Sequence, residues 1–237
     1  DWIERDLLQI NQPDIEQITL KDYSINERTR SINQRDVLIL SNKENTWRAN
    51  RMSSSQEVDS STMNPLLSTL DELSIVGVRP KPKGLSQSLI QTGDEIAISQ
   101  IDLISLQSKG YFFSRDGSLL SNEGELEVKT RNGVLYTLRF GEIVYGTGAA
   151  VTAGADSTED KESGPAENRY LFITTQFDSS RFPEPASPRN TDFQNKPEAE
   201  WTDTDRTNND RKANHDTWLE QLNTGQQLSE ELNARFA

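Results

Sequence analysis

The chain has 237 residues, a formal net charge of −13 and a pI near 4.6, and this acidity disfavours binding to nucleic acid or anionic membranes, which depends on concentrated Lys and Arg. It contains no cysteine, which excludes disulfides, thiolate nucleophiles and cysteine-ligated metal centres. The apolar fraction of 32% is low against the roughly 45–50% usual for globular domains, a figure that also counts Gly, so part of the chain is expected to be extended or disordered.

The first third of the chain has the pattern of a three-stranded antiparallel meander. Alternating apolar residues predict a strand over Ile15–Ser24, followed by a polar turn over Asn26–Asn33. Val37–Leu40 is a short β-branched run typical of a buried strand. After a turn of Asn, Lys and Glu residues, Thr46–Arg51 is predicted to return antiparallel, with Trp47 on it.

A helix is predicted to begin between Asp59 and Pro65. Its apolar residues follow the spacing of one buried helix face: Met63, Leu66, Leu67, Leu70 and Leu73. Pro65 favours the helix only as its first residue, with Asn64 as the N-cap, because inside a longer helix it costs a hydrogen bond. Gly77–Gly84, rich in Gly and Pro, is predicted to be a loop joining two halves of the chain.

The second half opens with a helix between Ser99 and Gly110. Ser99 is a suitable N-cap, Asp102 completes a capping box, and Gly110 is a typical stop. The apolar face is expected to comprise Ile101, Leu103, Ile104 and Leu106. Tyr111–Phe113 is predicted to be a strand whose rings belong to the core, with an exposed ligand platform as the alternative.

The stretch from Glu125 to Phe140 predicts a β-hairpin around Arg131-Asn132-Gly133. A two-residue loop would place Val128 opposite Thr137 and mix apolar and polar residues on both faces. A three-residue loop with Gly133 in the left-handed conformation instead pairs Val128 with Tyr136, Leu126 with Leu138 and Glu125 with Arg139. We therefore predict the three-residue loop, with Glu125 and Arg139 as a surface ion pair.

The remaining third is predicted from changes in composition. Gly146–Asn168 has almost nothing to bury and is expected to be a disordered loop, whereas Arg169–Phe177 is strongly β. Asp178–Ala213 is expected to be an arm extended over the surface, or without order, with Phe182, Phe193 and Trp201 as anchors. Asp216–Phe236 is predicted to be a helix that Gly225 weakens by about 1 kcal/mol.

These elements indicate an α+β fold of antiparallel sheets with a few packing helices, in which the two halves resemble each other in element order. We expect three segments: 1–80, a meander plus helix; 81–177, a helix plus sheet with a disordered loop at 146–168; and 178–237, an arm and C-terminal helix. No apolar run approaches the eighteen residues of a membrane span. Both ends look cut from a longer protein.

Residue types that could carry chemistry are sparse. The only histidine, His215, is predicted to be a solvated residue where the terminal helix begins, because neither a triad nor a metal site can be built around it alone. Asp203–Asp210 resembles a calcium loop, yet Asn208 stands where the loop glycine is needed and Asn214 where the bidentate Glu is needed. This segment is therefore predicted to be a solvated linker.

Two further patterns are discounted. Gly146–Val151 follows a strand as a dinucleotide fingerprint does, but an acidic loop follows it and no helix N-terminus would meet the phosphate. Asp116, Glu123 and Glu125 could pair as glycosidase carboxylates, although surface charge is the favoured interpretation. No catalytic, cofactor-binding or metal-binding residue is therefore assigned, and no cofactor is expected.

Residues 110–142, GYFFSRDGSLLSNEGELEVKTRNGVLYTLRFGE, together with WIERDLL at 2–8, DIEQITL at 14–20 and ELNARFA at 231–237, resemble the envelope family known as domain of unknown function 4340. The resemblance implies a larger protein with an extracytoplasmic body, tethered by an N-terminal membrane helix that lies outside this sequence. It also implies an association with ABC-type transport systems related to gliding motility. The family has no established catalytic residues to transfer.

The leading hypothesis is a non-enzymatic extracytoplasmic interaction or scaffold module, accessory to an ABC-type transport assembly, with protein partners and no contact with nucleic acid. A rival hypothesis is an envelope glycan hydrolase that uses two carboxylates across a groove. A third is a small-ligand binding domain that uses the rings of Tyr111–Phe113.

Overall fold

A computed structural model describes residues 6–26, 28–29, 31–73, 99–114, 117–144 and 168–236. The predicted α+β class is confirmed. In chain order the elements are β1 (Ile15–Asn26), β2 (Ser31–Lys43), β3 (Thr46–Ala49), α1 (Ser60–Asp71), α2 (Gln100–Gln107), β4 (Tyr111–Phe113), β5 (Leu119–Ser121), β6 (Glu125–Thr130), β7 (Val134–Val144), β8 (Asn168–Phe177) and α3 (Asp203–Phe236).

Six strands form one antiparallel sheet in the order β3-β2-β1-β6-β7-β8. The order is symmetric about its centre, because each half of the chain contributes a meander that begins at the middle of the sheet and proceeds outward. β1 pairs with β6 from Ile15 to Lys21 and joins the two meanders. The predicted segments 1–80 and 81–177 therefore share one sheet.

The main core lies on one face of this sheet and is covered by two helices. Met63, Leu67 and Leu70 of α1 and Leu232 of α3 belong to the same buried cluster. The strand residues of that cluster alternate along each strand as expected for one sheet face: Ile18, Leu40, Leu126, Val128, Tyr136, Leu138 and Ile173. One helix from each half of the chain thus closes a common core.

A smaller layer covers part of the opposite face. β4 and β5 form a two-stranded sheet, and α2 packs beside them through Leu106. Phe172 of β8 joins this second cluster with Tyr111 and Leu119, whereas its neighbour Ile173 belongs to the main core. Because successive strand residues point to opposite faces, the two clusters lie on either side of β8.

The predicted hairpin register is confirmed. Glu125 lies opposite Arg139, Leu126 opposite Leu138, and Val128 opposite Tyr136. Gly133 has a φ of +85°, the left-handed conformation that the three-residue loop requires. Leu126, Val128, Tyr136 and Leu138 are all buried, so the register that separates apolar from polar residues is the one that forms.

The predicted first meander is also present, but its second strand is much longer than Val37–Leu40. β2 begins at Ser31, so the polar turn predicted over Asn26–Asn33 is wrong for its second half. Residues 31–36 are all exposed, and a strand segment that buries neither face has no alternating pattern by which sequence could reveal it. β3 is confirmed, although it ends at Ala49.

Helix α1 begins at Ser60 with Asp59 as its N-cap, whose side chain accepts from the Ser61 N–H at 2.8 Å. Pro65 therefore lies inside the helix, not at its first position. The alternative in which Asn64 caps the helix is wrong because Asp59 already provides a good cap one turn earlier. Met63, Leu67 and Leu70 form the buried face as predicted.

Helix α2 has the predicted start. Ser99 accepts from the Asp102 N–H at 3.1 Å, and its hydroxyl donates to the Asp102 carboxylate at 2.7 Å. The predicted apolar face is wrong at two positions, because Ile101 is 79% and Ile104 66% exposed while Leu106 is buried. Helix α2 has eight residues, which is only about two turns. Within this helix, Leu106 is the one residue that is buried.

Helix α3 begins at Asp203 and contains 34 residues, ending at Phe236, so the predicted start at Asp216 and the solvated linker over Asp203–Asp210 are both wrong. A reciprocal capping box begins the helix: the Asp205 N–H donates to the Thr202 hydroxyl at 3.2 Å, and the Thr202 N–H donates to Asp205 at 3.0 Å. This Thr-x-x-Asp spacing is visible in the sequence.

The arm that precedes α3 lies over the surface as predicted, with three short 3₁₀ turns. Its predicted anchors are confirmed: Phe193 is 1% exposed and packs edge-on against Trp201 with ring centroids 5.5 Å apart, and Phe182 stacks on Phe177. The predicted loops at Gly77–Gly84 and, up to residue 167, at Gly146–Asn168 lie outside the described residues; Asn168 itself begins β8.

At Gly225 the backbone of α3 lies close to the Phe177 ring of β8. A Cβ atom there would lie 2.2 Å from Cε2 of Phe177. We expect Gly225→Ala to destabilise the protein by about 1–3 kcal/mol, because overpacking against the half-buried Phe177 ring outweighs the roughly 1 kcal/mol of helix propensity that alanine adds. Denaturant unfolding measures the change.

The matched control is Thr224→Ala, an exposed position one residue earlier on α3, where we expect no loss of stability. A Gly225→Ala protein as stable as the parent would show that α3 does not depend on this contact.

Candidate functional site

The densest group of ionisable side chains lies on the sheet face opposite the main core. Glu125 of β6 is central to it: Arg139 Nε lies 3.3 Å from its carboxylate, the Tyr23 hydroxyl donates to it at 3.0 Å, and Lys21 Nζ is 3.7 Å away. Lys21 also pairs with Glu127 at 2.5 Å. We call these five residues the ionic network.

The two-stranded sheet of β4 and β5 covers the ionic network. The Leu119 carbonyl accepts from Arg139 Nε at 2.9 Å, and the Ser121 N–H donates to the Tyr23 hydroxyl at 3.3 Å. The Glu125 side chain is consequently only 8% exposed. The predicted pairing of Glu125 with Arg139 is therefore confirmed, but its predicted place on the surface is wrong, since β5 covers it.

Tyr23 is the one tyrosine in the network, and it is 4% exposed. Burial, with the negative charge of Glu125 as a smaller cause, raises the pKa of Tyr23 from 10.0 to about 12. The hydroxyl therefore stays protonated over the whole physiological range and can donate to Glu125. This arrangement satisfies a buried carboxylate by hydrogen bonding and charge, which is a structural role.

The other predicted carboxylates do not join this network. Glu123 is exposed and lies 3.8 Å from Arg169, and Asp116 lies outside the described residues. The Gly146–Val151 motif is outside them as well. Within the described ranges, no group of three or more His, Asp or Glu side chains is placed to hold a metal ion.

His215 lies inside α3, so its predicted position at the start of the helix is wrong. Its Nε2 atom is 3.5 Å from the Glu184 carboxylate, and its ring centroid is 5.1 Å from that of Trp218. Trp218 in turn donates its indole N–H to the Phe182 carbonyl at 2.8 Å. These contacts hold the arm against α3.

The calcium-like segment Asp203–Asp210 is helical, and its side chains serve the fold. Asp205 is buried and receives the Thr202 N–H and hydroxyl, bonds that lower the pKa of Asp205. Asn208 is 1% exposed and accepts from the Arg189 N–H at 3.0 Å. The discounted calcium site is thus the capped first part of α3 and its contact with the arm.

The aromatic strand β4 divides between core and partial exposure. Tyr111 is 3% exposed, packs edge-on against Phe172 and donates its hydroxyl to the Arg139 carbonyl at 3.3 Å. Phe112 and Phe113 are half-buried. The predicted core role is confirmed for Tyr111.

Two shallow depressions flank Phe182 on the surface that the arm shares with α3. One, of about 260 Å³, is lined by Arg181, Pro183 and Trp218, among other residues, and the other, of about 380 Å³, by Arg131, Glu220 and Gly225. Both are open to solvent. Neither is an enclosed cavity of the kind that usually binds a small molecule.

The most exposed regular structure is a two-stranded ribbon that sequence reasoning missed. β1 pairs with β6 only as far as Lys21, and β2 pairs with β3 only from Leu40 onward. Beyond those points Tyr23–Asn26 and Ser31–Gln34 pair with each other. We call the paired strand segments 22–26 and 31–36, with the described residues 28–29 between them, the ribbon; Ile32, on its outer strand, is 43% exposed.

The segment 21–51, which contains the ribbon and β3, is basic in an otherwise acidic chain. Residues 21–51 contain seven Lys and Arg against four Asp and Glu, a net charge of +3, which leaves −16 on the rest of the chain. Asp22 and Asp36 are each engaged by an arginine, Arg35 and Arg51 respectively. Residues 22–36 themselves hold three Arg against two Asp and one Glu and are neutral overall, so the excess positive charge of this segment lies at Lys21 and in residues 37–51.

Residues 1–88 match the family model described as domain of unknown function (DUF4340). This match supports the resemblance drawn from 2–8 and 14–20, whereas the hairpin segment 110–142 and residues 231–237 lie outside it. It covers the first meander, the ribbon and α1. No curated protein and no solved structure matches the chain. In the part of the chain that the structure describes, no helix has the length and apolar character needed to cross a membrane.

The burial of Glu125 gives a prediction about stability. We expect Glu125→Gln to lower the free energy of unfolding by about 3 kcal/mol, because it leaves a mostly buried arginine without its counter-charge. Glu123→Gln is the control, since that side chain is 52% exposed and an exposed ion pair contributes at most about 1 kcal/mol. Equal effects in chemical denaturation would mean that the ionic network is solvated.

Tyr23 gives a prediction about pH. Because its pKa in the folded protein, about 12, lies above the ordinary tyrosine value of 10.0, the folded state retains a proton that the unfolded state loses. Its contribution to stability is therefore complete below pH 10.0 and falls as the pH approaches 12. We expect Tyr23→Phe to flatten the fall in stability across this window, as measured by denaturant unfolding at a series of pH values.

The same variant also loses the hydroxyl bonds to Glu125 and Ser121, so at neutral pH it should be less stable than the parent by about 1–2 kcal/mol. A slope between pH 10.0 and 12 unchanged by the substitution would contradict the raised pKa. Tyr111 and Tyr136 also have raised pKa values through burial, so part of the slope remains in the variant.

Proposed function

We propose that this chain is a non-enzymatic interaction module of the cell envelope, with an extracytoplasmic body and a role accessory to an ABC-type transport assembly. The ribbon is the observation that carries the proposal. A two-stranded ribbon is marginally stable on its own, and this one exposes residues 31–36 of β2 instead of burying a face. A projecting, charged strand of this kind is suited to binding another protein.

The charge distribution supports a protein partner. Residues 21–51, which include the ribbon and β3, carry +3 while the chain as a whole carries −13, so this part of the chain offers an acidic partner a local target of opposite sign and speeds oriented encounter. The match of residues 1–88 to the family model includes the ribbon. The resemblance to envelope proteins associated with ABC-type transport provides the cellular setting of the proposal.

The proposal is tested by photocrosslinking in cells with the membrane-anchored full-length protein. A photoreactive amino acid replaces Ile32 on the ribbon or, as a control, Leu219 on α3. The two side chains are matched, at 43% and 41% exposure. We expect adducts with transporter subunits from position 32 and none above background from position 219.

Equal adducts from both positions would mean that contact is not specific to the ribbon. Absence of any adduct from position 32, with the protein folded and in the membrane, would overturn the proposed role of the ribbon. Adducts from position 32 that contain no transporter component would retain the interaction module and overturn its association with transport.

A further inference from the structure

The hairpin loop between β6 and β7 contains the one Asn-Gly pair of the chain, Asn132-Gly133. In such a pair the glycine has no Cβ to shield its backbone nitrogen, so this nitrogen can attack the side-chain amide carbon Cγ of the asparagine. Deamidation by this route is one reason why asparagine is a thermolabile residue. Asn132 is exposed, so solvent reaches its amide.

The reaction has two steps, and water is the only co-reactant. The Gly133 nitrogen loses its proton and forms a bond to Cγ of Asn132, while the Cγ–Nδ2 bond breaks and the side-chain nitrogen leaves with that proton as ammonia. Water then opens the resulting five-membered imide: its hydroxyl adds to one carbonyl carbon and its remaining hydrogen goes to the ring nitrogen. The product is aspartate or, when the other carbonyl is attacked, isoaspartate, whose backbone is longer by one methylene group.

The folded loop opposes the first of these steps. The Gly133 N–H donates to the Thr130 carbonyl at 3.0 Å, so the attacking nitrogen is engaged. The side-chain oxygen of Asn132 accepts from the Val134 N–H at 3.3 Å and lies 2.5 Å from the Thr130 hydroxyl. The attacking nitrogen and the side chain under attack are thus both held by the hairpin, and the reaction requires the loop to open locally.

The arm that precedes α3 holds the loop closed. A Cβ atom on Gly133 would lie 2.5 Å from Cε2 of Phe182 and 2.8 Å from Cε2 of Phe177, so both rings pack directly on the glycine backbone. Arg181 of the arm also donates from Nη1 to the Thr130 carbonyl at 2.8 Å. Opening of the loop therefore requires displacement of the Phe182 ring.

We propose that Asn132 is a deamidation site whose rate is set by the arm. While Phe182 lies on Gly133, the loop stays closed and the amide persists; release of the arm lets the reaction proceed. The extra methylene of isoaspartate lengthens a loop whose three residues set the register of β6 against β7. Gly133 then no longer fits beneath Phe182, so the modification weakens the seat of the arm permanently.

The test follows Asn132 in the whole chain during incubation in mildly alkaline buffer, with and without denaturant. Digestion after lysine releases residues 130–161, which contain one asparagine, Asn132, and no glutamine. The mass gained when OH replaces NH2 in this fragment therefore reports Asn132 alone. We expect the native chain to deamidate at least about tenfold more slowly than the denatured chain, because loop opening enters the rate as an unfavourable equilibrium.

Variants of the arm test its control of the rate. Phe182→Ala removes the ring that covers Gly133 and should speed deamidation of the native chain roughly tenfold. Phe113→Ala is the matched control, since Phe113 is likewise half-buried but lies on β4 in the second cluster, and it should leave the rate unchanged. Arg181→Gln keeps the ring, removes the bond to Thr130, and should speed the reaction about threefold.

Exchange of the Gly133 amide, followed by NMR, provides an independent readout of loop opening. It should accelerate by the same factor as deamidation in each arm variant, because both reactions need the same opening. If Phe182→Ala unfolds at the incubation temperature, Arg181→Gln carries the test alone.

Three results would overturn the proposal. Equal deamidation rates in the native and denatured chains would show that the loop does not protect Asn132. Arm variants no faster than Phe113→Ala would show that the arm does not control the rate. Faster deamidation without faster exchange of the Gly133 amide would show that the reaction does not pass through loop opening.

Discussion

The ladder between β1 and β6, from Ile15 to Lys21, holds the two meanders in one sheet. Ile18 and Val128 lie opposite each other in it, and both are fully buried. Because both meanders start at this ladder and proceed outward, α1 and α3 reach the same sheet face and close one core. Without the ladder each meander would be a small three-stranded sheet with little surface to bury, which is marginal for independent stability.

A sheet built outward in this way has two outer edges, and on each of them an asparagine side chain bonds the free backbone groups of the outer strand. At β8, Asn233 of α3 accepts from the Thr175 N–H at 2.9 Å and donates to the Thr175 carbonyl at 2.6 Å. At β2, Asn50 makes the equivalent pair of side-chain bonds to Ile39 and Val37. An asparagine amide reproduces the donor and acceptor of a missing strand in both places. Exposed strand edges invite unwanted pairing, and each asparagine closes one short part of an edge; at β2, residues 31–36 lie beyond the part that Asn50 closes.

The elements that could be predicted from the sequence are those in which the pattern of apolar side chains specifies the structure. The register of β6 against β7 was predictable because only one loop length buries Val128 with Tyr136. The start of α3 had only the Thr202-x-x-Asp205 spacing to signal it, since residues 203–215 contain one apolar residue, Ala213, and the ribbon had no such signal, since residues 31–36 contain only Ile32. In the first case Asn208, bonded to the Arg189 N–H, substitutes for apolar anchoring. The burial of Glu125 was missed because it depends on β5 lying above it, a tertiary contact that no local pattern encodes.

Tyr23 connects two of these features, the ribbon and the burial of Glu125. It lies at the base of the ribbon, and its hydroxyl bonds Glu125 and Ser121 within the ionic network. The exposed outer strand of the ribbon has little apolar surface to bury, so its direction relative to the sheet is fixed mainly at this base. Fixing that direction in advance reduces the conformational entropy that a partner must overcome on binding. The ionic network has the composition of a catalytic group, yet its charges neutralise one another. Its effect is structural, because through Tyr23 it fixes the base of the ribbon and so positions the open strand edge at residues 31–36.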